Sequence, residues 1–362
     1  MRDGTGGRLQ ALLAVPGDLA TPTGGYAYAR RLIEAAPRAG LALYHWPLPE
    51  LAPIPSAEAL SETERRLSVV PPGWPVIVDG LALGVMPVAL IRSVTAPVIA
   101  LCHHPLGLES GLPPELAARL IESERAALAA AAFVITTSRT TAGTLTEVLS
   151  VPPERIAVAP PGTDPVAPAP RPVADGPCRL LSVGSLTPRK GHDVLIEALA
   201  GLSDLDWRLT LVGPEDRDPA HAARVFAAVE AHGLGTRVIR RGAATSDALA
   251  TAYAEADLFV LAARYEGYGM AFTEAMAHGL PVIGCAAGAV AEATRGAAVL
   301  VAPDDPAALR AALRRPIESV EARRELAARS RAAAAAFPRW DDTARAVHAA
   351  LRAVLAGPET AE

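Results

Sequence analysis

Short apolar runs rich in β-branched residues alternate along the chain with longer Ala-, Leu-, Arg- and Glu-rich segments of helical period. This alternation is typical of parallel α/β domains, in which a crossover helix follows each strand. In the first half of the chain it predicts strands at Leu9–Val15, Leu41–His45, Val76–Val78, Val98–Cys102, Phe133–Thr136 and Ile156–Ala159. It predicts helices at Gly25–Ala36, Pro114–Ala130 and Arg139–Leu149, with Ser138 as the N-cap of the last.

A proline-rich stretch then interrupts the alternation. Residues 160–177 contain seven prolines in eighteen positions and few large apolar side chains, which indicates an extended linker. The same pattern restarts after it. It predicts strands at Arg179–Gly184, Trp207–Val212, Arg237–Arg241, Leu258–Ala262, Pro281–Cys285 and Ala298–Val301, and helices at His192–Ala200, Ala220–His232, Asp247–Ala254, Ala271–His278, Asp305–Arg315, Ser319–Ala336 and Asp341–Leu355.

These elements predict two α/β domains with Rossmann-like parallel sheets, one formed by residues 1–168 and the other by residues 169–338. The last segment, residues 339–362, is set off by Phe337-Pro338 and is expected to pack as a helix against the first domain. Two parallel sheets that face each other would place the carboxyl ends of both strand sets on one cleft, where open α/β sheets bind ligands. We therefore expect an active site between the domains.

The composition excludes several classes of protein. Hydrophobic residues make up 51% of the 362 residues, enough for two cores and too many for a disordered chain. The net charge is −5 and the arginines are scattered, which argues against nucleic acid as a partner. Three widely spaced cysteines predict neither a disulfide framework nor a thiolate metal site and fit a reducing compartment.

The apolar runs also bear on location. Pro16 ends the first run at the lower limit of a signal-peptide core, and no run reaches the ~18 residues of a membrane span. The expectation is a cytoplasmic protein, with peripheral contact at the inner membrane face left open.

Lys190 is the only lysine among 34 basic residues. A genome that favours arginine codons is one explanation, and a position that needs a compact ammonium on a flexible stem is the other. Lys190 follows Arg189 in a strand–turn–helix segment, where two cations and a helix start could hold a diphosphate. The spacing is not that of a Walker loop.

Two further strand-to-helix junctions carry candidate chemistry. Gly24 and Gly25 open the first predicted helix, so backbone amides there could approach an anion or a sugar, although a simple tight turn explains them equally well. His103 and His104 end a predicted buried strand. No further ligand follows them at metal-binding spacing, so a hydrogen bond to substrate and a satisfied core histidine remain the alternatives.

The segment from Glu266 to Ile283 is the most informative. Two carboxylates, Glu266 and Glu274, are separated by seven residues, so the pair could accept hydroxyl hydrogen bonds from a sugar and from a ribose. Gly267 and Gly269 shape the loop, and amides near Gly269 and Met270 could bind the phosphate between them. A glycosidase pair is the competing interpretation, but a hydrolase has no use for a diphosphate site.

The E-x7-E segment with its trailing A-M-A-x-G-x-P-V-I, the V-G-x-L-x-x-x-K-G-H-D-V-L run and the Gly-Gly loop together resemble the retaining glycosyltransferases of family 4, which have the GT-B fold. The resemblance spans nearly the whole chain. It implies that Glu266 contacts hydroxyls of the transferred sugar, that Glu274 binds the ribose, and that Lys190 neutralises the diphosphate. It also places His103, aligned by counting from Pro97, beside the reacting sugar.

By the same resemblance, the Gly24-Gly25 loop faces the donor phosphate and the acceptor. The sequence departs from the family at three places. Ser185 stands where the family has arginine, and Arg189 is expected to supply that charge. Pro161-Gly162-Thr163-Asp164 replaces N-G-V-D, and Gly288-Ala289 replaces a glycine pair, which makes Glu292 a weaker match.

The sequence therefore predicts a retaining hexosyltransferase that uses a UDP- or GDP-linked sugar and a saccharide, lipid-linked or small-molecule acceptor. The expected catalytic residues are His103, Lys190 and Glu266. No metal or other cofactor is expected, because Lys190, Arg189 and helix amides can neutralise the leaving diphosphate and Asp304-Asp305 resembles a helix start. Front-face substitution, with the leaving phosphate helping to deprotonate the acceptor, is implied by the resemblance. A nucleotide-sugar epimerase and a catalytically silent nucleotide-sugar-binding subunit are the alternatives.

Overall fold

In the computed structural model, which describes residues 8–167 and 176–357, the chain divides into two units. One comprises residues 1–162 and 338–362, and the other residues 163–337. The predicted boundary between residues 168 and 169 and most of the predicted linker's second half lie outside the described residues.

The first unit contains a parallel sheet of six strands in the order β2-β1-β3-β4-β5-β6. Every residue of β4 is buried, as expected for a strand covered on both faces. The strands are β1 (Leu9–Pro16), β2 (Leu41–Leu48), β3 (Val76–Asp79), β4 (Val98–Cys102), β5 (Phe133–Thr136) and β6 (Ile156–Val158). The helices are α1 (Gly24–Ala35), α2 (Ala57–Ser68), α3 (Gly80–Leu83), α4 (Val88–Ser93), α5 (Pro114–Ala130) and α6 (Arg139–Leu149).

The second unit also contains a six-stranded parallel sheet. Its strands are β7 (Cys178–Val183), β8 (Trp207–Val212), β9 (Val238–Arg240), β10 (Leu258–Leu261), β11 (Val282–Cys285) and β12 (Val299–Val301), in the order β12-β11-β10-β7-β8-β9. Its helices are α7 (His192–Ala200), α8 (Pro219–Ala231), α9 (Ser246–Glu255), α10 (Met270–Ala277), α11 (Val290–Ala293), α12 (Pro306–Glu318) and α13 (Val320–Ala334).

The last helix, α14 (Trp340–Ala356), belongs to the first unit. The Trp340 ring meets the ring of Tyr28 edge to face at 5.8 Å, and the Thr343 hydroxyl donates to the Pro160 carbonyl at 2.6 Å. An added Cβ at Gly162 would lie 2.2 Å from the Trp340 nitrogen, so the backbones approach each other more closely than a side chain permits. These contacts fix α14 on the first unit's own elements.

Several predicted elements are confirmed to the residue, including β4, α5 and α6, and Ser138 caps α6 by accepting from the Thr141 amide at 2.9 Å. Strand β2 runs three residues past its predicted end because it pairs with β1 up to Leu48. Pro47 is tolerated there because β2 is an edge strand. The prediction lacked α2, α3, α4 and α11.

The topology of each unit marks one ligand-binding position. In the second unit the strand order reverses between β7 and β10, and in the first it reverses between β1 and β3. Open parallel sheets bind ligands beyond the carboxyl ends of strands at such a reversal. The loops after β7 and β10, and those after β1 and β3, are therefore the places to look for function.

Within the described ranges, no helix is both long and apolar enough to cross a membrane.

Candidate functional site

The turn that carries Lys190 is pressed against the loop that follows β10. Pro188–Lys190 forms a single 3₁₀ turn and ends at Gly191, which has φ +64°. An added Cβ at Gly191 would lie 1.9 Å from the Ala262 carbonyl oxygen. Only glycine therefore fits between this turn and the end of β10.

Lys190, Arg189 and Glu266 come together at this reversal, although Lys190 and Glu266 are 76 positions apart in sequence. The Lys190 Nζ lies 2.5 Å from Glu266 Oε1, and Arg189 Nη1 lies 3.7 Å from Glu266 Oε2. The side chains are 15% exposed for Lys190 and 7% for Glu266, so the pair is largely shielded from solvent. Two cations and one carboxylate leave a net positive charge, which suits an anion.

The lysine stem lies close over the end of β7. An added Cβ at Gly184 would lie 3.1 Å from Lys190 Cδ and 3.2 Å from Lys190 Cγ. A side chain at position 184 would therefore require the lysine stem to shift by a few tenths of an ångström. Ser185 follows directly, and Arg189 provides a second cation within 4 Å of Glu266.

A second glycine fixes the Glu266 backbone. Gly288 has φ +56°, and an added Cβ there would lie 2.2 Å from the Glu266 carbonyl oxygen. The same oxygen accepts from the Ala289 amide at 2.9 Å. Gly288 is thus sterically required, whereas Ala289 contributes its amide and tolerates a side chain.

The loop after Glu266 leads directly into α10. Gly267 is half-buried, and Gly269 precedes the helix with φ +100°, a conformation that disfavours other residues. Met270 is the first residue of α10. The first amides of a helix have no intrahelical acceptor, so this start can bind an anion.

Glu274 lies in the second turn of α10 and has a partner that the sequence did not reveal. Its Oε2 accepts from the Tyr253 hydroxyl at 2.9 Å. The Tyr253 ring stacks on His278 at 5.0 Å. Burial raises the pKa of Glu274 to about 7, and the nearby Asp164 carboxylate adds to the rise. An aromatic residue among the small residues of α9 was the only available signal for Tyr253.

Arg264 is a second residue that sequence analysis missed. It lies between β10 and Glu266, and its guanidinium contacts Pro188, Asp193 and Asp304. Asp305 caps α12 by accepting from the Ala308 amide at 2.8 Å. Asp304 and Asp305 therefore have an ion pair and a helix cap as partners, and the prediction of a helix start there is confirmed.

In the first unit, the predicted residues gather at the other reversal. An added Cβ at Gly25 would lie 3.6 Å from His103 Cδ2, whereas one added at Gly24 would meet no neighbouring atom within 4 Å. His103 packs edge to face on Tyr28 at 5.0 Å, and its Nε2 lies 3.6 Å from Asp79 Oδ2. The Gly24-Gly25 helix start and the strand-end histidine are thus neighbours.

The two adjacent histidines have different surroundings. His104 Nε2 lies 4.0 Å from Glu109 Oε2, whereas His103 faces Asp79. Across residues 8–167 and 176–357, no three His, Cys, Asp or Glu side chains gather in a way that could hold a metal ion. The following loop is held by Glu124, which is buried and accepts from the Leu106 amide at 2.8 Å.

Comparison with known families matches residues 18–166 to glycosyltransferase family 4 and residues 177–319 to glycosyl transferases group 1. The chain is 30% identical over 273 residues to the D-inositol 3-phosphate glycosyltransferase of Acidothermus cellulolyticus. That alignment covers 70% of this chain and 60% of the relative, so the chain spans less than two thirds of the relative's length.

Two solved structures share the fold over more than nine tenths of the chain. The sucrose-phosphate synthase of Thermosynechococcus elongatus has a TM-score of 0.74 at 24% identity, covering 92% of this chain and 96% of its own. HepE of Anabaena, in complex with UDP and glucose, has a TM-score of 0.73 at 15% identity, covering 94% and 99%. The two six-stranded parallel units are those of the GT-B fold.

Proposed function

Since the chain belongs to the glycosyl transferases of group 1 and family 4, we propose that it is a retaining glycosyltransferase that moves a hexose from a UDP- or GDP-linked sugar to an acceptor hydroxyl. The acceptor would be a saccharide, a lipid-linked sugar or a small molecule. The observation that carries the proposal is the cluster of Lys190, Arg189 and Glu266 at the strand reversal of the second unit.

The cluster suits the chemistry of a departing diphosphate. Breaking the bond between the anomeric carbon and the diphosphate oxygen leaves negative charge on that oxygen, and fixed cations stabilise it. Lys190, Arg189 and the start of α10 supply this stabilisation. The acceptor oxygen forms the new bond to the anomeric carbon, and its proton passes to the departing phosphate oxygen.

The two carboxylates hold the donor on either side of the phosphates. Glu266 would accept from hydroxyls of the hexose, and Glu274, set by Tyr253, would accept from the ribose hydroxyls. Gly267, Gly269 and Met270 would bring backbone amides to the phosphates. For the first unit, the proposal keeps His103 beside the reacting sugar and Gly24 and Gly25 near the donor phosphate and acceptor.

A panel of nucleotide sugars tests the proposal directly. We expect one UDP- or GDP-hexose to raise the melting temperature clearly more than the others, because a ligand that binds only the folded state stabilises it. The same donor should support transfer to an added acceptor with retained anomeric configuration. Conversion of the donor to an epimer without any acceptor would instead indicate the epimerase, and binding without turnover would indicate a silent subunit.

Transfer is expected to survive an excess of EDTA. The donor phosphates already meet Lys190 and Arg189 in this proposal, and no carboxylate cluster within the described residues is placed to hold a divalent ion beside them. The measurement is the initial rate with and without chelator. Loss of activity that Mg²⁺ or Mn²⁺ restores would contradict the metal-independent proposal.

Glu274→Gln is expected to separate donor binding from stability. Because the pKa of Glu274 is about 7 in the folded protein and ~4.3 in an unfolded chain, folding takes up a proton between these two pH values, so the parent loses stability as pH rises from ~4.3 to about 7. The glutamine variant lacks this loss and should gain melting temperature relative to the parent at pH 8, but not at pH 4.5.

The donor affinity of the parent should change with pH in the direction opposite to its stability. An ionised carboxylate accepts from both ribose hydroxyls, so parent affinity should fall as pH drops below 7, while the weaker affinity of Glu274→Gln should stay flat over that range. Calorimetric titration with the preferred nucleotide sugar at several pH values measures this. Parallel pH profiles for the two proteins would remove Glu274 from the donor site.

A further inference from the structure

Arg264 joins three separate loops at the strand reversal of the second unit. Its Nη1 donates to the Pro188 carbonyl in the Lys190 turn and to Asp193 Oδ1 at 3.0 Å. Its Nη2 donates to Asp193 Oδ2 at 2.7 Å, and its Nε donates to Asp304 Oδ1 at 2.6 Å. One guanidinium thus connects the turn after β7, the first turn of α7 and the loop before α12.

The partners of Arg264 are themselves held in place. Asp193 lies in the first turn of α7, directly after the Gly191 contact with β10. Asp304 has φ +57°, an uncommon conformation for a residue other than glycine. Its neighbour Asp305 caps α12. The carboxylates therefore present fixed positions, and a planar five-donor fork matches them better than an ammonium would.

The backbone reinforces the same connection. The Arg264 amide donates to the Arg189 carbonyl at 2.7 Å, and Arg189 Nη1 donates to the Tyr265 carbonyl at 3.2 Å. Arg189 is thus joined to residues 264–265 by one backbone and one side-chain hydrogen bond. Glu266, the partner of Lys190, follows directly.

We propose that Arg264 is a positioning residue whose guanidinium, through Pro188 and Asp193, holds the turn that places Lys190 for the donor diphosphate. The inference rests on the proposed function. Each of the three guanidinium nitrogens already donates to a protein oxygen, so Arg264 acts through Lys190 and not by contact with the donor. Lys190 is the only lysine among the 34 basic residues, so the chain has 33 arginines. Nothing in the sequence pattern distinguishes Arg264 from the other 32.

A double-mutant cycle tests this role. Arg264→Ala in the parent should lower kcat/KM for the donor and weaken binding of UDP or GDP by about tenfold, the range of a charge-assisted contact. In a Lys190→Ala background the same substitution should change both quantities less than about threefold, because the group that it positions is gone. A merely structural arginine would give equal effects in both backgrounds.

Two further variants keep the test interpretable. Asp304→Asn removes one charged partner of Arg264 and retains a residue that accepts positive φ, so the variant should fold. Its loss of diphosphate affinity should be smaller than that of Arg264→Ala and should also disappear in the Lys190→Ala background. Arg314→Ala is the matched control, since Arg314 bridges Asp204 and Glu318 in the same unit, and it should leave diphosphate binding unchanged.

The outcomes separate the two proposals. Suppose that Lys190→Ala weakens diphosphate binding, and that Arg264→Ala and Asp304→Asn weaken it by the same factor in the Lys190→Ala background as in the parent. The positioning role is then wrong and the proposed function stands. If Lys190→Ala changes neither binding nor transfer, the proposed diphosphate site is wrong and the positioning role fails with it. Loss of binding in Arg314→Ala would show that any lost ion pair has this effect and would overturn the assignment to Arg264.

Discussion

Replacing Lys190 with alanine is expected to lower kcat/KM for the donor by about one to two orders of magnitude. A partly desolvated, charge-assisted contact to phosphate contributes roughly 1.5–3 kcal/mol, and that contribution is lost when the ammonium is removed. Arg189 remains 3.7 Å from Glu266 and offsets part of the charge left behind, so the melting temperature should change little by comparison. Steady-state kinetics and thermal melting of the same samples measure both effects.

Lys190→Arg is the more discriminating substitution. The lysine stem passes within 3.1–3.3 Å of where a Cβ on Gly184 would lie, and its Nζ is 2.5 Å from Glu266. A wider, planar guanidinium does not reproduce this point charge, so we expect a clear kinetic defect at unchanged melting temperature. In a chain this rich in arginine, parent-like kinetics would mean that codon bias explains the single lysine.

The positions of the strands and of the main helices could be predicted from sequence because their signal is local. Buried strands such as β4 are continuous apolar runs, and α5 and α6 have helical periods with clear starts. Helix α2 lacked such a signal, since only Thr63 and Leu67 of its twelve residues are buried. Helices α3 and α4 divide one apolar run at Gly84 and Pro87, which hid both.

The site was predictable only in part, for a topological reason. The E-x7-E segment and the lone lysine indicated Lys190 and Glu266 separately, but their 2.5 Å contact depends on β7 and β10 being neighbours in the sheet. Periodicity does not encode strand order. Tyr253 and Arg264 were missed for the same reason, because each contacts a carboxylate on another element.

The ion pair between Lys190 and Glu266 is expected to compete with binding of the donor diphosphate. The Lys190 ammonium donates a hydrogen bond to the Glu266 carboxylate, and the proposed donor diphosphate needs the same ammonium. A diphosphate must therefore draw Lys190 away from Glu266 or share it, and the cost of that exchange reduces its affinity. In the proposed function this exchange would free Glu266 to accept hydrogen bonds from the hexose, and phosphate binding and sugar binding would then be coupled.

Glu266→Gln should consequently weaken transfer and tighten product binding at once. Transfer should fall by about one to two orders of magnitude because a neutral amide accepts hexose hydroxyls less strongly than a carboxylate. UDP or GDP, which lack the hexose, should bind up to about tenfold more tightly because Lys190 and Arg189 no longer face a competing charge. Calorimetric titration of the free nucleotides measures this.

Glu274→Gln serves as the matched control, since it removes a carboxylate whose partner is Tyr253 and should weaken nucleotide binding. Opposite signs for the two glutamine variants would establish that Glu266 competes with the diphosphate while Glu274 binds the ribose. If Glu266→Gln instead weakens UDP and GDP as much as Lys190→Ala does, then Glu266 holds Lys190 in its binding position and does not compete for it.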